Sequence, residues 1–218
     1  MRPPETPAGT ERLPPALTSL VGEADATCVW HNEVGGLTFR IGGSPGRYLK
    51  WAPIGSGMDI AGEVERLRWA APLTPAPRVL DTGQTPDGAW LLTADLGGSS
   101  AVDPRWQDRA STAAWAIGAG LRRLHDTLPV ATCPFDWSVD HRLATSRVAG
   151  GEASVGPPPP IDRAVVCHGD PCSPNTLLDD DGGFLAHEDY DALGVADRWA
   201  DLAVATMSLG WTFPGHGE

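Results

Sequence analysis

Residues 164–191 read AVVCHGDPCSPNTLLDDDGGFLAHEDYD, and this stretch decides the fold. Its short apolar run at residues 164–167 predicts a buried strand, which ends in a sharp loop that carries Asp170. Asn175 follows five residues later. Two further short strands, joined by a turn rich in Asp and Gly, then lead to Asp189. This layout places one carboxylate and one amide on a loop, and a second carboxylate at the end of a paired strand.

Phosphoryl transfer requires such a set of side chains. One carboxylate accepts or orients the proton of the attacking hydroxyl, while an amide and a second carboxylate hold magnesium on the nucleotide phosphates. The spacing from Asp170 to Asn175 equals that of the protein-kinase catalytic loop. The pattern therefore predicts that Asp170 is the catalytic base and that Asn175 and Asp189 are the magnesium ligands.

The sequence His-Gly-Asp-x-x-x-x-Asn at residues 168–175 (the catalytic loop), joined to LGVADRWADLA at residues 193–203, resembles the aminoglycoside phosphotransferases. The chain is most similar to their 3'-phosphotransferase (kanamycin kinase) branch. The resemblance implies an α+β, two-lobed, protein-kinase-like fold. A small, β-rich N-terminal lobe that binds the nucleotide is expected at residues 12–94, and a mainly helical lobe for catalysis and substrate at residues 95–218.

The same resemblance implies the reaction and its participants. These kinase-like enzymes move the γ-phosphoryl group of a nucleotide to a hydroxyl of an antibiotic. The expected cofactors are ATP and Mg²⁺, and the sequence does not decide between ATP and GTP. The expected substrate is a cationic aminoglycoside.

Lys50 lies on a predicted strand among apolar residues, where kinases keep the lysine that binds the α- and β-phosphates. Its predicted partner is Glu63, which flanks the apolar stripe of a predicted helix at residues 58–70. Glu65 projects about 200° further round that helix, toward solvent. The family places its lysine-pairing Glu six residues before a Trp such as Trp69, which also selects Glu63. A surface carboxylate that pairs within its own helix is the alternative.

Two further nucleotide contacts are implied by the resemblance. Gly35 and Gly36 lie in a turn between two predicted strands, at the position of the family's nucleotide-positioning loop, although a plain hairpin explains them equally well. The segment at residues 94–98 resembles the hinge between the lobes. There, backbone groups near Ala94 and Leu96 would hold the adenine.

The resemblance also gives His125 and Asp201 supporting roles. His125 belongs to the longest helical pattern, at residues 103–128, and is interpreted as a buried, hydrogen-bonded imidazole. Asp201 is expected to brace the catalytic loop through backbone amides. It would do so from a helix that Asp197 caps and Gly210 ends.

Three features depart from the family pattern. Residues 148–162 predict an extended linker where members carry a longer helical insert that lines the aminoglycoside pocket. The chain ends at Glu218, where members continue through further helices, so we expect a shortened member. Glu188 and Asp191 stand beside Asp189 in place of an apolar and a small residue. Carboxylates so close can repel phosphate, and Asp191 is an alternative ligand.

Composition narrows the classes of function. The chain has 28 Asp and Glu against 16 Lys and Arg, a net charge of −12, which disfavours nucleic-acid binding. An acidic surface attracts a polycationic substrate, although solubility alone explains such a charge. No apolar run of about 18 residues and no secretory signal occur, so we expect no membrane partner. Four scattered cysteines favour a reducing, cytoplasmic location.

Other functions stay open at this point. The same catalytic parts would serve a kinase for another small alcohol, such as a choline-like or homoserine-like compound. The departures from the pattern favour a nucleotide-binding homologue without catalysis. A hydrolase would use Cys172 or His168, but no oriented base–nucleophile pair is visible. A zinc site in the Cys, His and Asp side chains of residues 167–172 lacks a second Cys/His knuckle.

Overall fold

The computed structural model of the chain describes residues 11–148 and 157–214. The chain divides into two compact units. The first unit is formed by Met1–Ala71 and Ala76–Gly97, and the second by Pro72–Pro75 and Gly98–Glu218. Much of the linker predicted at residues 148–162 lies outside the described residues, because the description stops at 148 and resumes at 157.

The first unit is built on a five-stranded antiparallel sheet. A 3-10 turn at Pro15–Leu17 and the one-turn helix α1 (Thr18–Val21) precede this sheet. The strands are β1 (Ala26–His31), β2 (Leu37–Ile41), β3 (Arg47–Pro53), β4 (Val79–Thr85) and β5 (Gly88–Ala94). They lie in the order β1-β2-β3-β5-β4, so β3 occupies the centre of the sheet.

Side chains alternate between the two faces of the sheet along β2 and β3, and the apolar ones mark the buried face. Phe39 is buried in β2, whereas the next residue, Arg40, is exposed. In β3, Leu49 and Trp51 join Phe39 in one apolar cluster. Lys50 lies between them and therefore points to the opposite face of the sheet. The central strand thus places its lysine away from the apolar cluster.

Helix α2 (Ile60–Ala70) follows β3. Its N-cap is Asp59, whose carboxylate accepts the N–H of Gly62 at 2.9 Å and satisfies a donor that has no partner within the helix. Glu63 is buried together with the apolar stripe of the helix, as predicted. Glu65 is exposed, also as predicted.

The second unit contains three helices and two small antiparallel sheets. The helices are α3 (Ala110–Thr127), α4 (Val139–Val148) and α5 (Trp199–Thr212). The strands are β6 (Ser99–Ser100), β7 (Ala164–Cys167), β8 (Thr176–Leu178), β9 (Phe184–His187) and β10 (Gly194–Asp197). β7 pairs with β10, and the second sheet has the order β6-β8-β9. Among the described residues, no helix is both long and apolar enough to cross a membrane.

An apolar cluster of this unit contains Trp106, which is fully buried. The indole N–H of Trp106 donates to the Ser99 hydroxyl at 3.0 Å, so its polar atom is satisfied. Ile117 and Leu121 from α3 and Leu178 from β8 belong to the same cluster. The core therefore anchors β8, the strand that directly follows the catalytic loop.

The helical pattern predicted at residues 103–128 is divided in the structure. Pro104–Arg109 form a 3-10 turn, and the α-helix begins only at Ala110. The Asp103 carboxylate caps the 3-10 turn by accepting the N–H of Arg105 at 3.0 Å. An apolar pattern alone does not distinguish such a turn from the first turns of an α-helix.

Helix α5 differs from its prediction at both ends. Asp197 is the last residue of β10, and the N-cap is Arg198, although the Asp197 carboxylate still accepts the N–H of Trp199 at 3.0 Å. The helix also continues beyond Gly210, the predicted end. Phe213, which follows the helix, is buried in the core, and tertiary packing of this kind overrides the weak helix propensity of one glycine.

Candidate active site

The catalytic loop begins where β7 ends and passes through a backbone shape that requires glycine. Gly169 has φ of 92°, in the left-handed region that other residues rarely adopt. A Cβ at this position would also collide with the carbonyl oxygen of Ala192. The loop then closes with a 3-10 turn at Ser173–Asn175 that leads directly into β8. Glycine therefore allows the chain to reverse at the point where it presents Asp170.

Side chains of the loop itself hold Asp170 in place. The amide Nδ2 of Asn175 donates to the backbone carbonyl of Asp170 at 2.9 Å and approaches its Oδ2 at 3.4 Å. The Cys172 thiol donates to Asp170 Oδ1 at 2.8 Å. Asp170 and Asn175, predicted from their spacing to act together, are thus in direct contact.

Asp189 is tied to the same loop by the residue before it. The N–H of Glu188 donates to the carbonyl of Asn175 at 3.0 Å, and the Glu188 carbonyl accepts from Nε2 of His168 at 2.9 Å. Asp189 itself has φ of 62° and is the only non-glycine residue with positive φ in the described part of the chain. Strained backbone of this kind is concentrated at functional sites.

Asn175 and Asp189 form a donor set that suits magnesium. Both offer oxygen atoms, which Mg²⁺ prefers as ligands. Because Nδ2 of Asn175 donates to Asp170, the amide oxygen Oδ1 is the atom directed away from that contact. The alternative ligand Asp191 is exposed, whereas Tyr190 between the two acids is buried. The chemistry of these two residues therefore suits the predicted ion, and their role as its ligands stays a prediction.

Asp201 braces the loop from α5, as predicted. Its fully buried carboxylate accepts the N–H of His168 at 2.8 Å and the N–H of Gly169 at 2.9 Å. Nε2 of His125 lies 2.7 Å from Asp201 Oδ2, so the predicted buried imidazole is also hydrogen-bonded. Burial alone would raise the pKa of Asp201, but the hydrogen bonds from His125 and the loop outweigh it and lower the pKa.

The first unit contains the predicted ion pair between Lys50 and Glu63. Lys50 Nζ lies 2.8 Å from Glu63 Oε2, and Glu63 is only 4% exposed. Lys50 is also the only lysine in the chain. The pairing is confirmed, whereas the role of the pair in nucleotide binding stays a prediction.

The glycine turn at residues 32–36 is organised by Asn32, which sequence analysis missed. Asn32 Oδ1 accepts the N–H groups of Val34 at 3.2 Å and Gly36 at 2.6 Å, and its carbonyl accepts the N–H of Gly35 at 3.2 Å. An Asn at the start of a glycine turn is a recognisable signal for such a side-chain turn. Three amides that could contact a phosphate are therefore already bonded to Asn32. Phosphate contact by Gly35 and Gly36 stays a prediction.

The predicted hinge segment begins at the end of β5. The N–H of Ala94 donates to the Arg78 carbonyl at 3.0 Å, so this donor is used within the sheet. The Asp95 carboxylate accepts the N–H of Gly97 at 2.7 Å and shapes the chain around Leu96. Adenine binding near Ala94 and Leu96 stays a prediction, to which Ala94 would contribute its carbonyl.

The geometry disfavours the hydrolase and zinc hypotheses. Burial and the neighbouring Asp170 charge raise the pKa of the Cys172 thiol to about 12, so it is not a thiolate nucleophile at neutral pH. His168 is fully buried. Within residues 11–148 and 157–214, the only cluster with metal-ligand geometry is His125, Cys167 and Asp201, which differs from the alternative zinc set at residues 167–172. The Asp201 carboxylate in that cluster is already occupied by His125 and the loop amides.

We expect the substitution Asp201→Asn to destabilise the second unit by about 3–5 kcal/mol at pH 7, because it removes a buried carboxylate that accepts hydrogen bonds from His125 and from two loop amides. Because the pKa of Asp201 is lowered in the folded protein, its contribution to stability is fully present at any pH above the ordinary aspartate pKa. This stabilisation is lost as the pH falls through the lowered pKa of the folded protein. Urea unfolding at pH 7 measures the loss. The matched control is Asp126→Asn, which removes a carboxylate from exposed ion pairs with Arg122 and Arg163. Equal losses in the two variants would contradict the bracing role of Asp201.

Comparison with known proteins identifies the family of this chain. The model of the Phosphotransferase enzyme family matches residues 32–155. An aminoglycoside 3'-phosphotransferase of Streptomyces fradiae is 31% identical over 87% of this chain and 85% of its own length. A streptomycin 3''-kinase of Streptomyces griseus is 32% identical over 90% of this chain and 81% of its own length.

A solved structure supports the fold as well. The aminoglycoside phosphotransferase APH(3'')-Id from Streptomyces rimosus, in complex with ADP and streptomycin, superposes with a TM-score of 0.72 at 29% identity. The match covers 90% of this chain and 81% of that chain. The predicted kinase-like α+β fold is therefore confirmed. On the family match, the identity and the shared fold, this chain belongs to the aminoglycoside phosphotransferase family.

Proposed function

We propose that this chain transfers the γ-phosphoryl group of ATP to a hydroxyl of an aminoglycoside, and so confers antibiotic resistance. The observation that carries the proposal is the locked catalytic loop. Asn175 holds the backbone of Asp170 at 2.9 Å, and Asp201 holds the two residues before it. Relatives at 31–32% identity with the names aminoglycoside 3'-phosphotransferase and streptomycin 3''-kinase supply the class of substrate.

Asp170 acts as the catalytic base in this proposal. It orients the aminoglycoside hydroxyl and accepts its proton as the phosphoryl group moves, while the ADP oxygen leaves with the bonding electrons. Little covalent chemistry is asked of the protein, so most of the rate enhancement comes from orientation and charge neutralisation. The contacts that fix the Asp170 carboxylate are therefore part of catalysis.

The metal site consists of Asn175 and Asp189. When bound there, Mg²⁺ would neutralise charge on the nucleotide phosphates. The left-handed backbone of Asp189 and the exposure of Asp191 support Asp189 as the ligand, despite the acids beside it. This also argues against a catalytically impaired homologue, because the strained conformation occurs together with the ordered catalytic loop.

The first unit supplies the nucleotide contacts, and we propose that residues 12–94 are the nucleotide-binding lobe and residues 95–218 the catalytic and substrate lobe. Lys50, held by Glu63, binds the α- and β-phosphates. Backbone groups make the remaining nucleotide contacts in this proposal. Those of Gly35 and Gly36 lie near the phosphates, and those of Ala94 and Leu96 lie at the adenine. The ADP complex of the Streptomyces rimosus relative supports ATP as the donor, and GTP is the competitor to test.

The aminoglycoside and its modified hydroxyl have to be found by experiment. The relatives include both 3' and 3'' enzymes at nearly equal identity, 31% and 32%. The net charge of −12 favours a polycationic substrate over nucleic acid. None of the four cysteines, all of which lie in the described residues, forms a disulfide, and this supports the proposal of a cytoplasmic location.

An ADP-release assay over kanamycin, streptomycin, choline and homoserine, with ATP or GTP, tests the function. We expect turnover with an aminoglycoside and a loss of about 10²–10⁴-fold in kcat for Asp170→Ala, because a positioned general base is removed. The matched control is Asp180→Ala in the exposed hairpin turn, which we expect to keep the full rate. Turnover only with choline or homoserine would instead identify a kinase for another alcohol. Full activity of Asp170→Ala would exclude Asp170 as the base.

Lys50 allows a direct test of nucleotide binding, because it is the only lysine in the chain. Reductive methylation with carbon-13 formaldehyde labels one side chain besides the terminal amine. We expect its NMR resonance to shift saturably on addition of Mg-ATP, because the proposed contact is with the phosphates. We also expect Glu63→Gln to weaken the apparent affinity by about tenfold or more, since it removes the buried partner.

The control for this titration is Glu65→Gln, which changes an exposed carboxylate on the same helix. We expect that variant to bind Mg-ATP as the wild type does. A Lys50 resonance that stays in place at saturating Mg-ATP, or equal weakening by the two Gln variants, would remove Lys50 and Glu63 from the nucleotide site.

A further inference from the structure

Helix α5 presents two buried polar side chains to the catalytic loop, Asp201 and Ser208. Residues seven positions apart lie on the same face of a helix, about two turns from each other. Ala205 between them is also buried, whereas Thr206 is exposed. The face of α5 that packs against the loop thus carries one hydrogen-bonding group at each end.

The two groups hold opposite ends of the loop. Asp201 accepts the N–H groups at the start of the loop, at His168 and Gly169. Ser208 Oγ accepts the N–H of Ser173 at 2.8 Å and donates to the Ser173 hydroxyl at 3.1 Å. Ser173 is fully buried, so its N–H has no access to solvent. Ser208 therefore satisfies a donor that would otherwise be costly to bury.

The backbone connects Ser208 to the catalytic base. Ser208 Oγ accepts the N–H of Ser173, and Cys172 is the residue before Ser173 in the chain. Cys172 Sγ donates to Asp170 Oδ1 at 2.8 Å. A path thus runs from Ser208 through the Ser173 amide to Cys172 and the carboxylate of Asp170.

We propose that Ser208 and Cys172 are positioning residues that set the orientation of the Asp170 carboxylate. The proposal rests on the proposed function and adds two residues to it. Ser208 acts through the amide of Ser173, the neighbour of Cys172 in the chain, and Cys172 acts directly on Oδ1. Neither residue needs to touch the substrate. Because catalysis by this site depends on orientation, a small displacement of the base lowers the rate without weakening nucleotide binding.

A purely structural role for Ser208 predicts a different result. If its hydroxyl only satisfied the Ser173 amide, Ser208→Ala would lower stability but leave kcat unchanged in the folded protein. A purely structural role for Cys172 would likewise leave kcat unchanged in Cys172→Ala. The positioning role and the purely structural role are therefore distinguished by kcat and KM of the folded protein, and not by the amount of protein that folds.

The experiment compares five variants in the ADP-release assay with the preferred aminoglycoside. Ser208→Ala and Cys172→Ala remove the two links, Ser208→Thr and Cys172→Ser keep a donor, and Thr206→Ala removes an exposed hydroxyl from the same helix. We expect a fall of about tenfold or more in kcat for the two Ala variants, with the KM for ATP within about twofold of the wild type. Ser208→Thr and Cys172→Ser should recover most of the rate, and Thr206→Ala should match the wild type.

The double variant Ser208→Ala/Cys172→Ala provides a second criterion. Residues that act through one chain of contacts are not additive, so the double variant should be no slower than the slower single variant. Losses that multiply would overturn the proposed chain. Unchanged kcat in both single variants of an active wild type would overturn the proposal while leaving the proposed function intact.

Amide hydrogen exchange of the peptide that contains residues 168–175 gives a readout that does not require activity. We expect faster exchange in Ser208→Ala and unchanged exchange in Thr206→Ala, because Ser208 bonds to the loop whereas the Thr206 hydroxyl bonds within its own helix. Equal protection in the two variants would overturn the bracing by Ser208. A wild-type protein that transfers no phosphoryl group would instead overturn the proposed function, and with it the catalytic role of this contact.

Discussion

The buried carboxylate of Asp201 is the constraint on which the site depends. An ionised acid without solvent is costly, and this one is stabilised by the amides of His168 and Gly169 together with the His125 imidazole. These hydrogen bonds define the backbone shape immediately before Asp170. The loop conformation and the charge therefore stabilise each other, since the amides need an acceptor and the acid needs donors.

A buried acid with a fixed partner occurs in each unit. In the first unit, Glu63 is 4% exposed and lies 2.8 Å from Lys50 on the central strand. In the second, Asp201 is fully buried and holds backbone amides. In both cases a carboxylate on a helix orients a group on the neighbouring strand or loop. Phosphoryl transfer demands this kind of preorganisation, because the protein contributes positions and charges rather than covalent intermediates.

The parts of the site that were predicted from sequence follow local rules. The spacing from Asp170 to Asn175 and the helical periodicity around Glu63 are both encoded within a few residues. The contact of Ser208 with the loop was missed because it joins residues 35 positions apart. The end of α5 was misplaced for a related reason, since burial of Phe213 depends on the core of the second unit.

The most direct test of the account is a crystal structure with Mg²⁺ and a non-hydrolysable ATP analogue. The account predicts one ion bonded to Asn175 Oδ1 and to the Asp189 carboxylate at about 2.1 Å, with Asp170 left free to face the substrate hydroxyl. An ion held by Asp191 instead, or a nucleotide bound without contact to Lys50, would contradict the account.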